Sequence, residues 1–396
     1  MKTLISVYGI NALAFLSNLA AVFVFLALAG PAGYGSYGIY IVFLAVYYLW
    51  DISLIKTTLV VHDEAQRRGD PDPAAHAVSF LRGSLLVFAA GSLVLIASGD
   101  LIYPVDPATG IGGMVVMLIV ACEHLLSYPA NRVIFHLTLE KRFRTIYTLR
   151  LAATLLRHAA SWGVLLLTGS VLWAIVAILL KGLVVGAVSL YWIADRFPTA
   201  RRPALQLARG DLAIVLSFFA AAVVVVVMQE LPSLFIDRTY GREALGAYRM
   251  LYDIVAAVWF LATIYPTILF SSLLAGKAQR TPEETTAFLV RIGDRLALFH
   301  LAYFLGVCAL ILIERLFLWG RLEASYAFGV VAGVSILGYS RFIVEVAQAY
   351  GRGRLVLGAT LATAASISLI FALWPVRDGG LTEIGWAWLL GQLLFF

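Results

Sequence analysis

Apolar runs of membrane-crossing length recur along almost the whole 396-residue chain, and nothing else constrains its folding as strongly. A helix must hold about 20 apolar residues to cross a hydrocarbon core about 30 Å thick, because lipid offers no partner to an unpaired peptide group. Twelve segments are candidates: 4–29, 36–60, 76–98, 110–131, 147–168, 171–194, 210–231, 246–274, 293–313, 325–349, 355–375 and 382–396. The first starts almost at the N-terminus, but no small-residue cleavage site and soluble domain follow it, so it reads as a span. The last is short and closes on Leu-Leu-Phe-Phe. The composition fits: 62% of residues are hydrophobic and 13% charged, where soluble domains hold about 45–50% and about 25%. A soluble enzyme, a disordered chain and a disulfide-rich module are thereby excluded. The expected fold is all-α and polytopic.

Loop charges orient the spans. With the N-terminus in the cytoplasm, the inner connectors hold eighteen Lys and Arg, among them Lys56, Arg67, Arg68, Arg132, Lys141, Arg142, Arg201 and Arg202. The outer connectors hold five: Arg238, Arg242, Arg315, Arg321 and Arg377. Cytoplasmic loops attract basic residues. Both termini are therefore expected inside, in a bacterial inner membrane, with an even number of spans.

Other chemistry is thin. Cys122 and Cys308 lie in apolar stretches with no CxxC spacing, so they read as small buried residues rather than metal or redox ligands. The longest connector, near 61–75, is polar and Pro-containing and too short to fold alone. No GxxxxGK[ST] phosphate loop occurs, and no basic run exceeds Arg201-Arg202, so neither ATP nor nucleic acid is an expected ligand. No cofactor or metal is expected.

An internal repeat divides the chain. Gly30-Pro-Ala-Gly-Tyr-Gly35-Ser-Tyr37 and Gly241-Arg-Glu-Ala-Leu-Gly246-Ala-Tyr248 both read G-x-x-x-x-G-x-Y, 211 residues apart and both on the outer side. Glycine suits a tight turn and tyrosine the interfacial belt. The pair points to two duplicated six-helix halves in parallel orientation, since six is even. The expected domains are 1–196, a cytoplasmic linker 197–209, and 210–396. The two motifs are expected to superpose about an axis along the membrane normal.

Three phrases carry a family resemblance: L-A-G-P-A-G-Y-G-S-Y-G after the first span, Asp237-Arg238 followed by G-R-E-A-L-G-A-Y, and Gly380-Leu-Thr-Glu-Ile-Gly385-Trp-Ala before the last span. With the span count and loop charges, the chain resembles the O-antigen and exopolysaccharide flippases (Wzx type) of the multidrug/oligosaccharidyl-lipid/polysaccharide superfamily. The resemblance implies about twelve transmembrane helices in two six-helix bundles, set in the V of the MATE transporters around a central cavity, and transport by alternating access. It also implies an undecaprenyl-diphosphate-linked oligosaccharide as substrate, with membrane lipid and other polysaccharide-assembly proteins as partners. No bond would be made or broken.

Ionisable residues in mid-span are expensive, so each needs a partner or a task. Arg150, Thr154, Arg157 and Ser161 follow i, i+4, i+7, i+11 and share one helical face, which cannot meet lipid. Lys181 in the sixth span, Arg82 nearer the cytoplasm in the third, and Glu123 with His124 in the fourth complete a set that is basic on balance. Cations at low dielectric attract a diphosphate, and arginine binds it bidentately. Arg157 and Lys181 are thus expected to line a central cavity. Alternatively Glu123 bridges Arg157 or Lys181 as a structural pair. Asn11 and Asn18, seven apart, either line a sugar path or bond across helices. The tyrosines and Trp50 of the first two spans read mainly as belt or core. Arg249 with Asp253 and Arg341 with Glu345, each four apart, are candidates for coupling or gating, or simple pairs, and Glu123, Asp253 and Glu345 are the candidates for proton or sodium coupling. Asp51 reads as a boundary residue closing the second span. Pro129 and Pro266 are candidate hinges.

Two readings compete with the flippase. Multidrug or cation export by the same fold would favour unpaired acids rather than this basic interior. A membrane-embedded glycan polymerase or glycosyltransferase would need longer outer loops than 99–109, which offers only Asp100 and Asp106.

Overall fold

The computed structural model describes residues 2–106, 110–196, 230, 232–254, 281–313, 353–373 and scattered positions between 329 and 393. Every regular element among the described residues is helical. The chain divides into two compact units, Met1–Val226 with Ser233–Arg249, and Val227–Pro232 with Met250–Phe396. The expected linker 197–209 and the spans expected at 210–231, 325–349 and 382–396 lie wholly or largely outside the described residues.

In the first unit, α1 (Lys2–Arg67) joins the first two expected spans. The turn expected at 30–35 is instead a break at one residue. Gly30 takes φ 68° and ψ 179°, a conformation a side chain would resist, and Pro31 starts the second half with its preset φ. That half runs on to Arg67, past the expected end at residue 60, so Asp51 lies inside a helix. This corrects its reading as a boundary residue. Helix α2 (Pro73–Ile102) begins where Asp72 caps it, accepting from the Ala75 amide at 2.9 Å, with proline at the first position. Helices α3 (Gly113–Ser127) and α4 (Pro129–Leu139) form one apolar path bent by 50° at Tyr128-Pro129, where the missing proline amide ends the first ladder.

Helix α5 (Phe143–Thr168) closes on Gly169 in the left-handed region. Ser170 caps the short α6 (Val171–Val176), and α7 (Leu179–Arg196) completes the sixth path. Among the described residues, four helices are long and apolar enough to cross a membrane, and the bent α3–α4 pair makes a fifth. One of the four, Gly9–Tyr47, contains the Gly30 break. The protein is thus an all-α, multi-pass membrane protein.

Packing in this unit depends on small residues. A Cβ at Gly182 would meet the Glu123 carbonyl oxygen at 2.8 Å, and one at Gly186 would sit on the Leu126 carbonyl oxygen. This G-x-x-x-G seam lets α7 approach α3 closely, as expected where lipid removes the hydrophobic incentive to pack.

The helix α8 over 232–254 carries the second motif, and Gly241 takes φ 85°, positive like Gly30. A Cβ at Gly35 would sit on the Arg242 carbonyl oxygen, 3.1 Å from the Gly246 nitrogen. A Cβ at Gly246 would sit on the Pro31 carbonyl oxygen, 3.1 Å from the Gly35 nitrogen. Pro31 and Arg242 are equivalent positions in the repeat, as are Gly35 and Gly246. The crossing is therefore reciprocal. Arg238 donates to the carbonyls of Leu101 and Ile102, and Arg242 donates to the carbonyl of Pro104 while pairing with Asp237 at 3.2 Å. These arginines satisfy acceptors at the C-terminal end of α2.

In the second unit, α9 (Pro282–Ile313) begins with a capping box. Thr281 Oγ1 accepts from the Glu284 amide at 3.2 Å, and Glu284 Oε2 accepts from the Thr281 amide at 3.0 Å. Helix α10 (Gly353–Leu373) holds the span expected at 355–375.

Candidate functional site

The polar residues inside the first unit are brought together by five helices, α1, α3, α4, α5 and α7. Glu123 on α3 is completely buried, and Lys181 on α7 donates to its Oε1. Gly182, next in sequence to Lys181, provides the close approach that makes this reach possible. The interhelical bridge weighed from sequence is thus formed with Lys181.

A second cluster centres on α5. Arg157 on α5 donates to Asn18 Oδ1 on α1 at 3.0 Å, and His158 Nε2 stands 3.0 Å from the same oxygen. The same Nε2 stands 3.3 Å from Arg157 Nη2, so it either donates to Asn18 or accepts from Arg157, according to its tautomer. Tyr40 lies against Arg157, and Trp162 stacks on His158 with ring centroids 5.3 Å apart. Arg157 therefore points into the helix bundle rather than standing alone, and Asn18 bonds across helices.

A third cluster was not foreseen. Asp51 Oδ2 lies 2.7 Å from His124 Nε2, and Asp51 Oδ1 accepts from Asn131 Nδ2 at 2.8 Å. Tyr47 and Phe88 flank the His124 ring, with centroids 5.1 and 6.3 Å away. Tyr128 donates to the Leu81 carbonyl at 2.7 Å and meets Ser84 Oγ at 2.8 Å, fixing α4 against α2. The signal that could have found this cluster is Asp51 itself, a carboxylate among apolar residues with the helical pattern continuing beyond it through Leu59, Val60 and Val61.

The remaining candidates scatter. Arg150 lies over the Tyr147 ring, 5.5 Å from its centroid, so its charge is met by an aromatic face. Arg82 is exposed on α2 and acts electrostatically on Arg132. Asn11 is buried, but its amide donates to the Val7 carbonyl one turn back at 2.8 Å. One of its two amide donors is thus used within its own helix. Arg249 is buried on α8 within reach of Ser233 Oγ at 3.5 Å, its stem against Gly38. Asp253, one turn on, is half-buried. Arg341 and Glu345 lie outside the described residues. Tyr34, Tyr37, Tyr40, Tyr47 and Trp50 are buried, with Tyr37 stacked on Phe25 at 3.8 Å, so these aromatics are core.

Residues 25–317 match the family model described as polysaccharide biosynthesis protein. No curated protein sequence matches the chain. Its fold is similar to that of solved transporters. The first is a MOP superfamily transporter from Pyrococcus furiosus, whose binding pocket is described as reversed in polarity (TM-score 0.68, 14% identity, 99% of this chain and 91% of that one). The second is an outward-facing MATE family multidrug transporter (TM-score 0.65, 12% identity, 99% and 91%). The third is a Vibrio cholerae MATE transporter mutant (TM-score 0.64, 16% identity, 100% and 94%). The architecture is thus that of the MATE and MOP transporters.

Proposed function

Since the chain belongs to the family of polysaccharide biosynthesis proteins, we propose that it flips an undecaprenyl-diphosphate-linked oligosaccharide across the bacterial inner membrane by alternating access. It acts as a transporter and not as an enzyme, with both termini in the cytoplasm and two six-helix bundles joined by 197–209. The observation that carries the reading is the cationic interior of the first unit. Lys181 and Arg157 stand on α7 and α5, held by partners that a more strongly charged ligand displaces. Lys181 is held by one carboxylate oxygen and Arg157 by a neutral amide. A diphosphate offers Arg157 a charge-assisted bond stronger than its neutral one, and offers Lys181 one charge-assisted bond in place of another. The saccharide follows its anionic carrier, and the lipid tail stays in the bilayer.

Complementation tests this. The gene is deleted in its host and replaced by wild type, Arg157→Ala or Lys181→Ala at matched membrane levels. Surface polysaccharide and lipid-linked repeat units are then measured. The expected result is loss of polymer with complete, unflipped repeats accumulating in the deletion and in both variants. Normal polymer in the deletion strain would refute the flippase reading.

A further inference from the structure

Lys181 and Glu123 are unequal partners. The Glu123 side chain has no exposure, whereas the Lys181 side chain keeps 17%. Glu123 Oε1 takes the ammonium, while Oε2 is buried without a hydrogen-bond partner. The cation can therefore turn toward a ligand, and the anion cannot follow it. Gly182 packs against the Glu123 backbone, so the carboxylate has no room to rotate out on that side.

The neighbours decide what happens to the negative charge left behind. From α1, Asp51 is already matched by His124 and Asn131, and Tyr47 and Tyr40 are neutral phenols. From α4 come Asn131 and Tyr128. From α5, Arg157 acts on Glu123 through space but bonds to Asn18. On α3 itself stand His124 and the half-buried Cys122. Helix α2 presents Phe88, and α6, Val-Leu-Trp-Ala-Ile-Val, has no titratable group. Lys181 is the only ion-pair partner of Glu123 among the described residues. A buried carboxylate stripped of its counter-charge is relieved by protonation.

Resting on the diphosphate reading above, we propose that when a phosphate-bearing ligand draws Lys181 away, Glu123 takes up one proton on Oε2, so that ligand and proton bind together. The proton comes from water, one O–H bond forms, and no electrons are transferred. The carboxylic acid then has a donor to offer where the carboxylate had none, and the buried site is again neutral. Binding of the anionic carrier would in this way consume a proton on the loading side, which is a chemical link between a proton gradient and the transport cycle.

Calorimetric titration of the purified full chain in detergent tests the proposal. The probes are inorganic diphosphate and farnesyl diphosphate, each in two buffers of different ionisation enthalpy, near neutral pH, with each ligand's own change in ionisation subtracted. Wild type is expected to take up about one proton per ligand bound, with affinity falling about tenfold per pH unit across the linked range. Glu123→Gln is expected to bind with no net uptake and little pH dependence. Tighter binding of the farnesyl ligand assigns the phosphate to a lipid, and equal binding assigns it to phosphate chemistry alone; both support the coupling if the proton is counted. Binding by wild type without proton uptake overturns the proposal and leaves the diphosphate reading standing. No binding of either ligand overturns both. Absence of uptake in wild type overturns the proposal even if Glu123→Gln does not fold, and uptake that persists in a folded Glu123→Gln overturns the assignment to Glu123.

Discussion

Gly35 and Gly246 meet backbone to backbone, and each position is denied a side chain by the other's motif. The obstruction is a peptide oxygen held in a helix, not the end of a flexible side chain. Either Gly35→Ala or Gly246→Ala must therefore push the two helices apart, at a cost of about 1–3 kcal/mol typical of overpacking. Once one methyl has opened the crossing, the second finds space. The double variant should lose clearly less than the sum of the singles in thermal unfolding. Additive losses would mean that the two glycines do not share one crossing.

The Lys181–Glu123 pair supports a second expectation. Lys181→Met leaves a fully buried carboxylate without its cation and should destabilise by about 3–5 kcal/mol, the range seen when one partner of a buried pair is removed. Adding Glu123→Gln should restore most of that loss, because no uncompensated charge remains. Melting temperatures of the two singles and the double in one detergent check it. A double as unstable as Lys181→Met would show that the lysine matters for packing rather than for charge.

Two glycines at helix interiors should respond oppositely to the same change. An added methyl at Gly186 would sit on the Leu126 carbonyl oxygen, while one at Gly163 on α5 meets nothing within 4 Å. Gly186→Ala should be destabilising. Gly163→Ala should be neutral or stabilising by up to about 1 kcal/mol, since alanine loses less backbone freedom on folding. Comparing the two melting curves tests whether the α3–α7 seam is set by these small residues.

Near the C-terminal end of α1, beyond its apolar run, burial holds the His62 imidazole below its ordinary value, with Asp63 opposing; its ring packs edge-on against Phe135 at 6.0 Å. The folded state favours the neutral ring. Its stabilising effect is therefore complete above the ordinary value of about 6.5 and is lost as pH falls toward the folded value. Wild type should melt at lower temperature on mild acidification, and His62→Phe should be less sensitive. Identical acid profiles would remove His62 from the account.

The fold was legible in the sequence to the extent that lipid dictates it. Run length carries information because an unpaired peptide group is so costly in hydrocarbon. Boundaries were less legible. The break at Gly30 needs a single residue, and hydropathy cannot tell that from a loop; the same error made Asp51 look terminal. Arg157, Asn18, Lys181 and Glu123 could be nominated one by one from their cost. Which of them meet depends on helix rotation and depth, and those are set by features such as Gly182 and Gly186 that look unremarkable in an apolar run. Asn11 shows the converse, since an amide in mid-helix can satisfy one of its donors on its own backbone.

The seam between α3 and α7 also bears on time. With Gly182 and Gly186 held against backbone carbonyls, α7 has little freedom to slide along α3. Any parting of Lys181 from Glu123 must then be a rotamer change at the end of one side chain, a matter of nanoseconds or less, whereas rocking of helix bundles takes microseconds to milliseconds. The charge rearrangement would be complete long before the helices respond, so the slow motion would begin from a site whose electrostatics have already been reset.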